Sequence, residues 1–224
     1  MSAASCPNGT TSCQNCRMNP LCLPLALQER DMNQLDRVIE RGKPLQRKQT
    51  VFFVGDNYQG VYAVRSGAIK TAITNGDGTE QITGFYLPGE IFGWDGLANG
   101  RHTNTATALE TTAICAIPAQ RMDELSLTLP DLGRHFMRLM SREISADQQM
   151  LALLGKSSAE QRIAALLLSI SNRLERQRLS ATRFSLPMSR AEIGNYLGLT
   201  VETVSRVFTR FQTKGLIAAD KRDI

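Results

Sequence analysis

Four of the five cysteines in this 224-residue chain lie within its first 22 residues, and three are spaced Cys13-x2-Cys16-x5-Cys22, with Pro24 close behind. A two-residue gap lets two thiolates of one tight turn face the same ion, and a third ligand a few residues on closes the cage from the same loop. Three ligands leave a tetrahedral zinc or a four-iron cluster one short. Either Cys6 or the distant Cys115 must therefore complete the set. Four-cysteine zinc sites usually combine two C-x2-C motifs and this chain has one, which tilts the spacing towards iron-sulfur chemistry. A secreted disulfide framework is disfavoured, because five is an odd count and the N-terminal residues show no apolar signal core. A reducing cytoplasm, where thiols stay available, is the expected compartment.

A second group of residues carries recognition chemistry. Ser189-Arg190-Ala191-Glu192 reads as a capping box, with Ser189 accepting from a helix amide and Glu192 reaching back to the Ser189 amide. The helix it opens runs through Ile193 and Leu197 to Gly198, which suits a tight turn, and a second helix starts near Thr200 and continues to Lys214. Helix, glycine turn and helix make a helix-turn-helix. Glu202, Ser205 and Arg206 then share one face near the second helix's N-terminus. Arg206 can donate twice to guanine, Glu202 can accept from a cytosine amino group, and Ser205 can adapt to several base edges. Val204, Val207, Phe208 and Phe211 fall on the opposite, core-facing side.

Charge supports a polyanionic partner for this segment. From residue 156 onward 12 Lys and Arg stand against 6 Asp and Glu, whereas residues 1–155 carry 14 against 15. The basic excess is C-terminal, and double-stranded DNA is the expected partner. The longest apolar run, Ile163 to Leu168, is too short to cross a membrane. No dinucleotide fingerprint or nucleophile-base pair appears, and His102 and His135 are the only histidines, so no enzymatic activity is expected.

Positions 44–118 carry short β-rich runs: Thr50 to Val54, Val61 to Val64, Ala68 to Thr74, Gln81 to Tyr86 and Ala113 to Ile117. Turn signals at Gly55-Asp56, Ser66-Gly67, Gly76-Asp77-Gly78 and Pro88-Gly89 separate them, the pattern of an antiparallel β-roll. From about Leu132 to Leu154 the apolar residues follow helical spacing. The seam Met137, Met140, Ile144, Asp147, Leu151 and Leu154 advances by alternating steps of three and four, the period of a helix that packs along a partner helix. A homodimer is implied, weakened by design if two Asp147 carboxylates meet. A further helix is expected over Ala159 to Gln177, and Leu216 to Ala219 reads as the first strand of a wing with Asp220 to Asp223 as its turn.

The expected class is therefore α+β. A cysteine-rich segment spans residues 1–24, a β-roll domain 25–129, a dimerisation helix 130–155, and a helix-turn-helix domain 156–224. In this order the parts resemble the CRP/FNR family of bacterial transcription regulators, and its FNR branch in particular, which implies that the roll is a jelly-roll, cyclic-nucleotide-binding-like sensor domain and the C-terminal domain a winged helix-turn-helix. The resemblance is carried by Asp36 to Gly42 (DRVIERG), Val64 to Lys70 (VRSGAIK), Glu80 to Phe85 (EQITGF), Leu139 to Ile144 (LMSREI) and Glu192 to Arg206 (EIGNYLGLTVETVSR).

The resemblance implies that Cys13, Cys16, Cys22 and Cys115 hold an oxygen-labile 4Fe-4S cluster and that Cys6 lies outside it. It implies an oxygen-responsive global regulator of anaerobic-metabolism genes, dimeric with the cluster intact and monomeric after oxygen destroys it. Glu202, Ser205 and Arg206 would read TTGAT half-sites in an inverted repeat, and the turn Asn75 to Thr79 lies where similar proteins contact RNA polymerase. Relatives that bind cyclic nucleotides place an Arg-Ser pair after the Gly-Glu of the roll. Here Gly89-Glu90 is followed by His102-Thr103-Asn104-Thr105, so no cyclic nucleotide is expected. A small-molecule-gated regulator with a structural zinc is the alternative.

Overall fold

A computed structural model describes residues 12–22 and 29–224. Cys6 and Pro24 lie outside the described residues. The first described helix, α1 (Glu29–Val38), leads into eight strands: β1 (Glu40–Arg41), β2 (Thr50–Phe52), β3 (Gly60–Ser66), β4 (Ile69–Thr74), β5 (Glu80–Tyr86), β6 (Ile91–Phe92), β7 (Thr105–Ala108) and β8 (Ala113–Pro118). Five helices follow: α2 (Ala119–Thr128), α3 (Pro130–Lys156), α4 (Ala159–Arg176), α5 (Arg190–Leu197) and α6 (Val201–Thr213).

The strands form two four-stranded sheets, ordered β1-β8-β3-β6 and β2-β7-β4-β5. All their pairings are antiparallel. Phe52, Val64, Ile69, Phe92, Ala106 and Ala108 fill the space between the sheets. Alternation then gives each sheet a second apolar face. On the first sheet Val61, Ala63 and Ile117 pack against Leu35 of α1, Leu125 of α2 and Leu132 and Phe136 of α3. On the second, Ala72, Ile82 and Phe85 join one core with Ile163, Leu166, Ile193 and Phe208 of the C-terminal helices. The recognition module is thus packed onto the roll of its own chain.

The C-terminal helices start where side chains satisfy their free amides. Ser158 and Gln161 cap α4 reciprocally, and Ser189 and Glu192 do the same for α5. Gly198 ends α5 in the left-handed conformation, and Thr200 caps α6 by accepting from the Thr203 amide. Arg162 fastens three elements: its guanidinium donates to the carbonyls of Leu154 in α3, Ser157 and Leu197 in α5.

One local expectation is corrected. Leu216 to Ala219 is not a strand; Ile217 and Ala219 pack on the C-terminal core, and no strand pairs with this backbone among the described residues. The turn does form, closed by the Asp220 and Asp223 backbones, and Arg222 within it and Ile224 after it pair with the segment before α5: Leu186 N donates to Arg222 O, and Phe184 and Ile224 exchange two hydrogen bonds.

Candidate functional site

Cys115 belongs to β8, where it lies opposite Ala63 of β3 on one side and Arg41 of β1 on the other. Across this sheet edge folds the loop bearing Cys13, Cys16 and Cys22. All four thiols line one cavity of about 30 Å³, together with Met18, Asn19, Arg41 and Arg65. None of the four is in a disulfide. Among the described residues no three His, Cys, Asp or Glu side chains are arranged to grip a single metal ion. A four-iron cluster is held at separate corners by one thiolate each, and four cysteines lining one cavity are the donor set that such a cluster takes.

The loop is pinned by groups that the sequence reading did not single out. Asp36 of α1 accepts from the Cys13 amide at 2.9 Å and forms an ion pair with Arg41. Arg41 Nη2 also donates to Cys13 Sγ at 3.3 Å, and Asn19 Nδ2 donates to the Cys13 carbonyl at 2.9 Å. Burial pushes the Cys13 thiol up to about 12, with the hydrogen bond to Asp36 acting the same way and Arg41 opposing it. Burial also raises Cys115, against the attraction of Arg41 and Arg65. Metal bound here would displace the thiol protons, and the two guanidiniums would offset the charge of four thiolates. Arg17, between Cys16 and Cys22 in sequence, is exposed. The signal for Asp36 and Arg41 was present in the Asp36 to Gly42 stretch, but nothing in it points to cysteine 23 residues upstream.

The long helix presents the seam as an apolar stripe. Met137, Ile144 and Leu151 are 68%, 58% and 70% exposed, while Met140 and Leu154 are half-buried. Asp147 is exposed on the same stripe, and the protein around it raises its carboxyl above the ordinary value by desolvation. The flank of the stripe beside Met140 and Asp147 turns inward: Tyr86 of β5 donates to Glu143 at 2.6 Å.

Glu202, Ser205 and Arg206 all stand exposed on α6, while Val204, Val207, Phe208 and Phe211 are buried beneath. Arg206 donates to Thr203 Oγ1 at 3.2 Å and Ser205 to the Val201 carbonyl at 2.9 Å, which holds both near the helix start. Hydrogen bonds donated by its own amide and by Thr200 hold the Glu202 carboxyl below its ordinary value. Beside the triplet a groove is lined by Ser158, Ala159, Glu160, Thr203 and Arg210, with Arg210 ion-paired to Glu160. Arg210 is a further cation on this face, legible only as Arg206 plus one helical turn. The turn Asn75 to Thr79 is exposed and closed by its own bonds, Asp77 accepting from the Thr79 amide at 2.9 Å. At the position of the missing arginine, His102 stacks on Phe52 and Asp95 accepts from the Thr103 and Asn104 amides.

A double-sheet roll, a long helix and an exposed recognition helix define a DNA-binding transcription regulator, which is not an enzyme class. A model of bacterial regulatory proteins of the crp family matches residues 186–217, and a cyclic nucleotide-binding domain model matches residues 43–128. The chain is 52% identical over 212 residues to the transcriptional activator protein FnrA of Stutzerimonas stutzeri, covering 95% of this chain and 87% of that protein. It is 48% identical over 206 residues to the fumarate and nitrate reduction regulatory protein of Escherichia coli, covering 92% and 82% respectively. The solved structure of FixK2 from Bradyrhizobium japonicum superposes with a TM-score of 0.74 at 28% identity, covering 84% of this chain and 92% of that one. The chain belongs to the CRP/FNR family of bacterial transcription regulators. No helix among the described residues is long and apolar enough to cross a membrane.

Proposed function

We propose that the protein is an oxygen-responsive regulator of the FNR type, acting in the cytoplasm, whose Cys13, Cys16, Cys22 and Cys115 hold a 4Fe-4S cluster. The observation that carries this reading is the cavity in which three loop cysteines meet Cys115 from a strand 93 residues beyond Cys22. Bound there, the cluster supplies iron-sulfur bonds that oxygen attacks. The chain's own residues do the rest. Arg41 and Arg65 balance the thiolate charge, and Asp36 and Asn19 hold the loop in register with β8.

The seam Met137, Met140, Ile144, Asp147, Leu151 and Leu154 forms the homodimer, with residues 130–155 serving as the dimerisation segment between a cysteine segment and roll (1–24 and 25–129) and the DNA-binding domain (156–224). Apolar residues favour association, while two facing Asp147 carboxylates oppose it. A balance this close moves with a few kcal/mol of bias, which ordering of the cysteine loop supplies. The dimer sets two α6 helices in successive major grooves, about 34–36 Å apart. Glu202, Ser205 and Arg206 then read TTGAT half-sites of an inverted repeat to activate or repress anaerobic-metabolism genes, with RNA polymerase as the further partner. The network of Phe52, His102, Asp95 and Asn104 occupies the part of the roll where a cyclic phosphate would need an arginine, and no cyclic nucleotide takes part.

The test is the iron and acid-labile sulfide content of protein purified without oxygen, repeated after brief exposure to air. About four of each per chain, falling in air, are expected. Zinc in their place, stable in air, would overturn the reading in favour of a small-molecule-gated regulator with a structural metal.

A further inference from the structure

The turn Pro88-Gly89-Glu90 between β5 and β6 touches both functional regions at once. Gly89 has φ +87°, and a Cβ placed on it would lie 3.1 Å from Leu21 Cβ and 3.7 Å from Met18 Sδ. The cysteine loop therefore rests directly on this backbone. Two hydrogen bonds tie the turn to β3, where Val64 also lines the cysteine cavity: Gly89 N donates to Val64 O at 2.8 Å and Val64 N to Glu90 O at 2.9 Å.

The other side of the same turn is bonded to the DNA-binding domain. Gln177 Nε2 donates to Pro88 O at 2.7 Å. Arg173 of α4 donates through Nε to Glu90 Oε1 at 2.7 Å and ion-pairs with the second carboxylate oxygen. Its Nη2 also donates to Phe85 O at 2.5 Å. Farther along the interface Asn195 of α5 accepts from Ile82 N at 2.6 Å and donates to Glu80 O at 2.6 Å. Arg173 is largely buried, so Glu90 held in place is what offsets the cost of burying its charge.

We propose that Glu90 is a positioning residue, and that the Pro88–Glu90 turn relays the state of the cysteine loop to the DNA-binding domain of the same chain. This route runs beside the dimer seam and does not pass through it. It rests on the cluster reading above. With the loop ordered on Gly89, the turn is fixed, Glu90 meets Arg173, and α4 and α5 stay seated on β5. With the loop released, the turn loses one wall and the seat loosens. Coupling is reciprocal, so weakening the Glu90–Arg173 bond must also destabilise the loaded loop.

The test uses the full chain purified without oxygen, with iron and sulfide measured first. Hydrogen-deuterium exchange is then followed in residues 80–90 and 170–177 before and after cluster loss in air, in the parent and in Glu90→Gln. Exchange in both segments is expected to rise about fivefold on cluster loss in the parent, and to be already raised in loaded Glu90→Gln. The variant's cluster should also decay several-fold faster in air although no cysteine has changed. Gln177→Met, which removes one neutral bond, should show the same pattern more weakly. A loaded cluster whose loss leaves both segments unchanged, or variants whose clusters decay at the parent rate, would overturn the relay and leave the cluster reading intact. Protein without iron and sulfide would overturn both, because the relay would have no signal to carry.

Discussion

Arg41 of β1 is the cross-strand partner of Cys115 in β8, and its guanidinium reaches onward to Cys13 Sγ at 3.3 Å while pairing with Asp36. One side chain thus bridges the strand cysteine and the loop cysteine. Arg41→Met removes the donor and leaves the Asp36 carboxylate facing thiolates. Outer-shell partners of this kind are worth about 10–100-fold in metal affinity. The expected result is a cluster that forms but is lost at least about tenfold faster in air, followed by its visible absorbance.

The ligand assignment separates the two cysteines that spacing leaves as candidates for the fourth position. Cys115→Ser is expected to abolish retention of iron and sulfide, since three thiolates from one loop leave a corner unheld. Cys6→Ser is expected to keep about four of each per chain. The reverse result would move the fourth ligand into the N-terminal segment.

Asp147→Ala removes both carboxylates from the proposed dimer seam. Sedimentation of the cluster-free protein should show association about tenfold tighter, or roughly 1.4 kcal/mol. The parent should also respond to pH. Desolvation already raises the Asp147 carboxyl in the single chain, and a second carboxylate raises it further in the dimer. The dimer then binds protons more tightly than the monomer, so association strengthens as pH falls and weakens as pH rises through the raised value. A slope that persists unchanged in Asp147→Ala would assign it to other groups.

On the DNA face, Arg206 and Arg210 should fail differently. Arg206→Ala is expected to cost about 1–3 kcal/mol on an inverted TTGAT repeat and to relax preference at one G·C pair. Arg210→Ala, in the groove beside the triplet rather than in the triplet itself, should weaken all duplexes alike and lower the slope of affinity against salt by about one. Fluorescence anisotropy over a salt series with matched and single-mismatch duplexes distinguishes the two.

Elements with many repeats of one period were legible in the chain itself. The seam from Met137 to Leu154 announced α3, which runs two residues further at each end, from Pro130 to Lys156, because Pro130 opens a helix readily and Ser157 leaves helical geometry. The Ser189–Glu192 box and Gly198 marked both ends of α5, since caps are local chemistry between residues three or four apart. Strands β1 and β6, two residues each, and β7, four residues, left no usable alternation and exist because neighbouring strands supply their hydrogen bonds. The expected wing strand at Leu216 to Ala219 failed for the same reason, as strand propensity without a partner does not make a strand.

The sequence by itself determined the chemistry on offer: a C-x2-C-x5-C loop, a carboxylate in an apolar helical seam, and an acidic, hydroxyl and basic triplet on one face of a capped helix. These depend on spacing within a turn or two, and short-range geometry is the same wherever the chain goes. Only the tertiary structure decided which groups act together. The β3-β8-β1 pairing carries Cys115 and Arg41 to the cysteine loop, and the core that the C-terminal helices share with β5 brings Arg173 to Glu90, 83 residues away in the chain. Such meetings follow from sheet register and the shared burial of apolar faces, which are properties of the whole folded chain and leave no mark in the spacing of the residues they join.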